Sequence, residues 1–253
     1  MALDVPTVTR LDDLARERDL ALGVMFELRQ TGAALAARDL IAGGAIGEVT
    51  CVRMRTLIDK PLRYWRSGYS ERVRSAWRAR RAEAGGGVML MNAIHQVDVL
   101  RMITGMDLTD VAGYVGTLVA DPAEVEVEDT GVGVFRMSNG ALGSLVASAH
   151  VAGMTDGETI EIDGTKGSLR TPDLYGPGGC SVYLRRPWGD LPADAWTAVP
   201  APPADPFLAT VDAFARAVRD HRPAPVGAVD AAAALDVVLR LYDSATTATG
   251  RTA

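Results

Sequence analysis

The alternation of apolar and polar positions predicts helices near the two ends of the chain and strands between them. Thr9-Arg10-Leu11-Asp12 offers a hydroxyl cap with an acid three residues on, so a helix is expected from there to about Asp19. Residues 20–26 are continuously apolar and read as a short strand buried on both faces of a parallel sheet. Such a strand needs parallel neighbours joined by crossover helices, and the few residues before it supply none. A helix is predicted over 32–41, stopped at Gly43-Gly44, and then a strand over 48–57. A helix over 92–104 would turn Ile94, Val97, Leu100 or Val99, and Ile103 inward and end at Gly105. Strands are predicted over 111–119, 131–137 and 142–150, the last two joined through Asn139-Gly140, a strong hairpin signal. Residues 159–163 and 168–171 form a second hairpin around Gly164-Thr165-Lys166-Gly167, and 182–186 a short strand. Pro187, Pro192, Pro200, Pro202, Pro203 and Pro206 mark an extended surface connection. Asp205-Pro206 opens a helix by the cap-then-proline rule, and residues 230–246 form the last helix. The fold class is α+β, with a mostly antiparallel sheet.

Composition narrows the class. The 253 residues are 48% hydrophobic with a formal charge of −6, as in a soluble globular protein, and the acidic balance argues against general nucleic-acid binding. No apolar run is long enough for a membrane helix, and the first residues do not resemble a secretory signal. Cys51 and Cys180 make neither a disulfide framework nor a metal-ligand spacing, so a cytoplasmic protein without a metal site is expected.

Two stretches carry candidate chemistry. In Gly85-Gly86-Gly87, followed by an apolar run, Gly86 and Gly87 could let the backbone approach a flat cofactor. Asn92, His95 and Asp98 then recur every three residues, roughly on one side of a helix, and are the candidate catalytic group for proton transfer. The alternative is an ordinary amphipathic helix whose histidine is inert. Residues 60–84 carry Lys60, Arg63, Arg66, Arg72, Arg74, Arg78, Arg80 and Arg81 against only Glu71 and Glu83, with aromatic residues interleaved. Arg63, Trp65, Arg66, Tyr69 and Arg78 could bind a hydroxyl-rich or anionic substrate through forked donors and flat faces. The alternative is a solvated loop whose arginines pair with acids elsewhere. Glu124, Glu126 and Glu128 read as a solvent-facing approach to a strand, with a carboxylate row for metal or acid work as the other choice. The strand–G-x-G-x-x-G–helix signature of a dinucleotide site is not found: Gly43-Gly44-Ala45-Ile46-Gly47 follows a helix instead.

Gly44-Ala45-Ile46-Gly47-Glu48-Val49, Gly85 to Val88 through His95-Gln96-Val97-Asp98, Glu128-Asp129-Thr130, Asn139 to Ser144 and Gly164 to Leu169 occur in an order that resembles the Gfo/Idh/MocA oxidoreductases. The resemblance implies a large open sheet with helices packed on one face, serving substrate binding and oligomerisation over residues 30–253. It makes residues 1–29 the remnant, a helix plus a strand, of a nucleotide-binding Rossmann domain. It further implies a sugar, cyclitol or similar hydroxy compound as substrate, and NAD or NADP as the cofactor of the family. No cofactor is expected to be bound by this chain alone, so a separate nucleotide-binding chain or an upstream segment would have to supply it. The family's lysine aligns with Val5 in Asp4-Val5-Pro6 and its aspartate with Met91, beside Asn92, which leaves His95 of the typical Lys/Asp/His set. Asp98 could orient the imidazole or serve only as a surface or capping acid. Two functions follow: an oxidoreductase half completed by a nucleotide-binding partner, or a catalytically silent binding or scaffolding subunit. Self-association is expected in either case, through the apolar run at 20–26 and one face of the sheet.

Overall fold

Val52, Met54 and Thr56 alternate inward with Arg53 and Arg55 outward, and this period of two sets the strand around which the sheet is built. In chain order the elements are α1 (Val5–Glu17), a 3-10 turn (Glu27–Gln30), α2 (Gly32–Ala42), β1 (Val49–Leu57), and the short helical turns α3 (Tyr64–Ser67) and α4 (Arg81–Ala84). A π-helical turn (Met89–Ala93) runs into α5 (Ile94–Thr104), followed by β2 (Leu108–Gly116), β3 (Thr130–Met137), β4 (Leu142–Ser148), β5 (Glu158–Gly164) and β6 (Gly167–Arg170). β7 (Cys180–Leu184), β8 (Trp196–Val199), α6 (Pro206–Arg219) and α7 (Ala228–Thr249) complete the chain. The computed structural model describes residues 2–249 except 73, 74, 155, 156, 177, 203 and 204. Arg74 and Pro203 of the sequence reading therefore lie outside the described residues.

One sheet runs β2-β3-β4-β1-β5-β6-β7-β8. β1 and β4 are parallel and every other neighbouring pair is antiparallel, so the sheet is mixed and mostly antiparallel, an α+β architecture. Its helix-facing side buries Phe135, Met137, Leu145, Ile160 and Ile162 against Val97, Leu100 and Ile103 of α5 and Leu235, Val238 and Leu241 of α7. Each such side chain removed from water contributes about 1.5–3 kcal/mol. The other side stays open, with Tyr114, Val132, Val134 and Leu142 exposed.

Several expectations change. α1 begins at Val5, not Thr9, because Asp4 accepts from the Thr7 amide at 2.7 Å and Pro6 sits in the first turn. Thr9 lies inside the helix with its hydroxyl on the Val5 carbonyl. Residues 20–26 form no strand: the run is extended beside the segment before α7, where the Val24 amide donates to the Val226 carbonyl at 3.0 Å. A buried strand needs partners on both sides, and the sheet's edges are β2 and β8. β2 starts and stops three residues earlier than expected, since the Asp129 carboxylate captures the amides of Leu118, Val119 and Ala120 and bends the chain there. β8 was hidden in the proline-rich connection. Glu128 is buried rather than solvent-facing.

The Arg29 guanidinium joins separate parts of the chain. It holds Asp98 on α5 through two bonds of 2.6 and 2.7 Å and Asp230 on α7 at 2.9 Å. Arg29→Met strands the fully buried Asp98 carboxylate and is expected to cost about 3–5 kcal/mol in urea unfolding. The Arg29→Met/Asp98→Leu pair should lose much less; equal losses would mean that the charges themselves do not matter.

Candidate active site

His95 stands in the first turn of α5, just after the π-helical turn. π-turns insert an extra residue into a helix and are common at functional sites. The turn begins where Gly86 and Gly87 allow two close approaches. A Cβ on Gly86 would lie 2.0 Å from the Tyr242 hydroxyl, and one on Gly87 1.8 Å from the Glu128 carbonyl oxygen. Glu128 Oε1 accepts from the amides of Gly87 and Met89 at 2.9 and 3.1 Å and from Tyr242 at 2.6 Å, which satisfies the donors at the start of the turn. Both glycines, expected to face a cofactor, are thus buried against the protein's own groups.

His95 and Asp98 do share a side of α5, as their spacing predicts, and both face the Glu27–Gln30 turn. Asp98 does not orient the imidazole; its carboxylate is taken by Arg29. Glu27 stands behind the ring instead, its Oε2 3.3 Å from the buried Nδ1, close enough for charge attraction but misaligned for a hydrogen bond. Tyr175 donates to the other oxygen of Glu27, and Phe26 meets the imidazole edge-on at 5.4 Å. Burial alone would raise the Glu27 carboxyl, but His95 and Tyr175 outweigh it and hold the group below its ordinary value. The ring is a quarter exposed and lines a cleft of about 560 Å³ with Phe26, Trp77, Met91 and Leu235. Ala2, Leu3 and Val8, on either side of Asp4-Val5-Pro6, line the same cleft.

Asn92 faces another group. Its Oδ1 accepts from Lys60 Nζ at 2.5 Å, and Lys60, following β1, is 3% exposed. Burial pushes the Lys60 ammonium down to about 8, with Glu158 opposing the shift and Arg78 reinforcing it. Glu158 accepts from Gln96, the residue after His95, at 2.7 Å. Burial pushes its carboxyl up to about 7.

The basic stretch divides. Arg63 pairs with Glu71, Arg66 with Glu124 and Arg80 with Glu126, so part of it is pinned to the acidic run that follows. Trp65 is buried at 1% exposure and its indole nitrogen donates to His150 at 2.9 Å, which anchors the loop and keeps the ring from solvent. Tyr69 is exposed and packs on Tyr64 at 5.0 Å. Arg78 forms no ion pair among the described residues and lies over Trp77 at 4.5 Å and Tyr64 at 5.2 Å. Of the five residues expected to bind substrate, Arg78 alone is both unpaired and beside a cleft-lining ring. Glu27, Lys60, Gln96 and Glu158 were not singled out, because each meets its partner across a long stretch of chain. The one local signal was an acid ending the apolar run at 20–26.

Two titrations have predictable signs. Glu158 ionises later in the folded chain than its ordinary 4.5, so between 4.5 and about 7 the folded state binds more protons and stability falls as pH rises. Lys60 deprotonates earlier than its ordinary 10.5, so from about 8 to 10.5 the unfolded state binds more protons and stability rises with pH. The thermal midpoint should trace that dip, with Glu158→Gln removing the descending limb and Lys60→Met the ascending one. A flat profile in the parent protein would contradict both.

Residues 34–170, just over half of the chain, match the GFO/IDH/MocA C-terminal domain family. A 1,5-anhydro-D-fructose reductase from Ensifer adhaerens is 30% identical over 212 residues, 82% of this chain and 56% of that protein. A levoglucosan dehydrogenase from Pseudarthrobacter phenanthrenivorans is 26% identical over 177 residues, 62% of this chain and 43% of that one. The chain thus spans about half the length of these curated relatives. Among solved structures, a levoglucosan dehydrogenase in complex with NADH and levoglucosan superposes with a TM-score of 0.81 at 21% identity, covering 97% of this chain and 70% of that one. An aldose-aldose oxidoreductase from Caulobacter crescentus complexed with glycerol gives 0.78 at 23% identity, covering 98% and 68%. These likenesses share the fold just described. The chain belongs to the Gfo/Idh/MocA family of oxidoreductases.

Proposed function

We propose that this chain is the substrate-recognising half of an NAD(P)-dependent dehydrogenase or reductase acting on a sugar, cyclitol or similar hydroxy compound. The observation that carries this is His95: a partly exposed imidazole on a cleft wall, with a buried carboxylate behind it. In that reading His95 takes up or returns the proton of the reacting hydroxyl, and Glu27 stabilises the imidazolium as it forms. Phe26 and Trp77 supply the apolar walls against which a sugar ring stacks. Relatives named for 1,5-anhydro-D-fructose and levoglucosan support a sugar as substrate.

A nicotinamide nucleotide, when bound, supplies the hydride acceptor or donor. The residues described here do not fit its phosphates: Gly86 and Gly87 are filled by Tyr242 and Glu128, and Gly43 to Gly47 follow α2 rather than a strand. No hydride step is therefore assigned to this chain's residues, and the nucleotide is held by residues outside this stretch, on adjoining sequence or on a separate chain. Residues 1–29 would close that nucleotide-binding unit, and 30–253 form the substrate domain. The flanks of Asp4-Val5-Pro6 on the His95 cleft favour this junction.

The second reading is a silent scaffolding subunit, favoured by the open sheet face with Tyr114, Val132, Val134 and Leu142 exposed. Both readings expect a second copy to cover that face, and light scattering should report a dimer or larger; a monomer at every concentration would count against it. The two readings part at turnover. With its nucleotide-binding complement supplied, the chain should support sugar-dependent NAD(P)H turnover, and His95→Ala should slow it by about 10²–10⁴-fold. No turnover with levoglucosan, 1,5-anhydro-D-fructose or a wider panel of sugars would leave the scaffold. An unchanged rate in His95→Ala would remove the imidazole from the chemistry.

A further inference from the structure

Lys60 and Arg78 are two cations that share one aromatic ring. Lys60 Nζ lies 4.1 Å from the centroid of Tyr64 and the Arg78 guanidinium carbon 5.2 Å from it. Neither has a carboxylate within ion-pair distance among the described residues, whereas Arg63, Arg66 and Arg80 nearby all do. Lys60 is almost wholly buried, yet its three donors meet a single acceptor, Asn92 Oδ1. Burying an ammonium is costly, the distant Glu158 carboxylate offsets only part of that cost, and a second cation beside it adds to it. Charge this poorly compensated is what a site keeps for a ligand that brings the missing negative charge. Asn92, Tyr64 and Arg78 each retain partial exposure, so a ligand can enter among them. The link to the His95 cleft runs through Trp77, which lines the cleft and carries the Arg78 guanidinium over its ring at 4.5 Å.

We propose that Lys60 and Arg78 form an anion subsite that selects sugars bearing a carboxylate or phosphate group over neutral ones. The proposal rests on the substrate-domain reading and names its substrate class. Bound there, the anion takes the free Lys60 donors and the Arg78 fork, with Asn92 holding the ammonium in place. The depressed ammonium of Lys60 fits the same picture, because a bound anion would reverse the shift.

Calorimetric titration of the whole chain with D-glucuronate, glucose 6-phosphate and D-glucose tests it. At least one anionic sugar should bind about tenfold or more tightly than glucose. Lys60→Met and Arg78→Gln should each abolish that preference while glucose binding persists. Which anionic sugar binds better tells carboxylate from phosphate. Lys60→Met should also raise the thermal midpoint near neutral pH, because it removes a buried charge that Glu158 only partly offsets. Equal affinities for all three sugars, a preference that survives Lys60→Met, or a lowered midpoint in that variant would each overturn the subsite and leave the proposed function standing. No binding of any of the three would also overturn the subsite, the proposed function being decided by turnover.

Discussion

Arg29 is the point on which the arrangement of the site depends. Its guanidinium must neutralise Asp98, which has no exposure at all, and in doing so it fixes the Glu27–Gln30 turn against α5 and α7 together. Glu27, two residues earlier, is delivered behind His95 by the same constraint. The buried pair adds little net stability of its own, since desolvation offsets most of the attraction. What it supplies is register. A slip of α5 by one turn would leave Asp98 without its cation and His95 without Glu27, so both outcomes are disfavoured by the same penalty.

The polar groups around α5 form two systems on different sides of one helix. On one side Tyr175, Glu27 and His95 face the cleft; on the other Lys60 meets Asn92, and Glu158 meets Gln96. The π-helical turn lies at the junction, with Asn92 inside it and His95 just past it. Ordinary helical spacing would bring Asn92 and His95 onto one face and hence to shared partners. The extra residue of the π-turn is consistent with their separation: Asn92 reaches the β1 exit, while His95 reaches the N-terminal segment.

Much of the fold was legible because it rests on local signals. The Asn139-Gly140 hairpin, the caps at Asp205 and Gly105, and the alternation along β1 each depend on neighbours in sequence, and each lies where it was expected. The failures came where a distant group decided the outcome. Asp129 ended β2 early by taking three amides, and residues 20–26 joined no sheet, bonding instead through Val24 to Val226 before α7. The site followed the same division. His95 could be nominated from its own helix, but Glu27 meets it, and Lys60 and Glu158 meet Asn92 and Gln96, through contacts that no local pattern encodes. Asp98 stood as a possible partner of the imidazole because it was near in sequence, whereas burial demanded a cation and Arg29 met that demand.

The two faces of the sheet carry different loads. β1 sends Val52, Met54 and Thr56 toward the helices that carry the site, and Arg53 and Arg55 to the open side. On that open side the charged half is already internally satisfied: Arg53 pairs with Glu161 and Asp163, and Arg55 bonds Thr159. Exposed pairs of this kind contribute little to stability and can stay in water. The half built from β2, β3 and β4 differs, because Tyr114, Val132, Val134 and Leu142 have no polar partner to gain by remaining exposed. That half is set apart from the helix side by the thickness of the sheet. A sheet with one face committed to a core of helices can therefore change residues on the other while the geometry around His95 stays fixed.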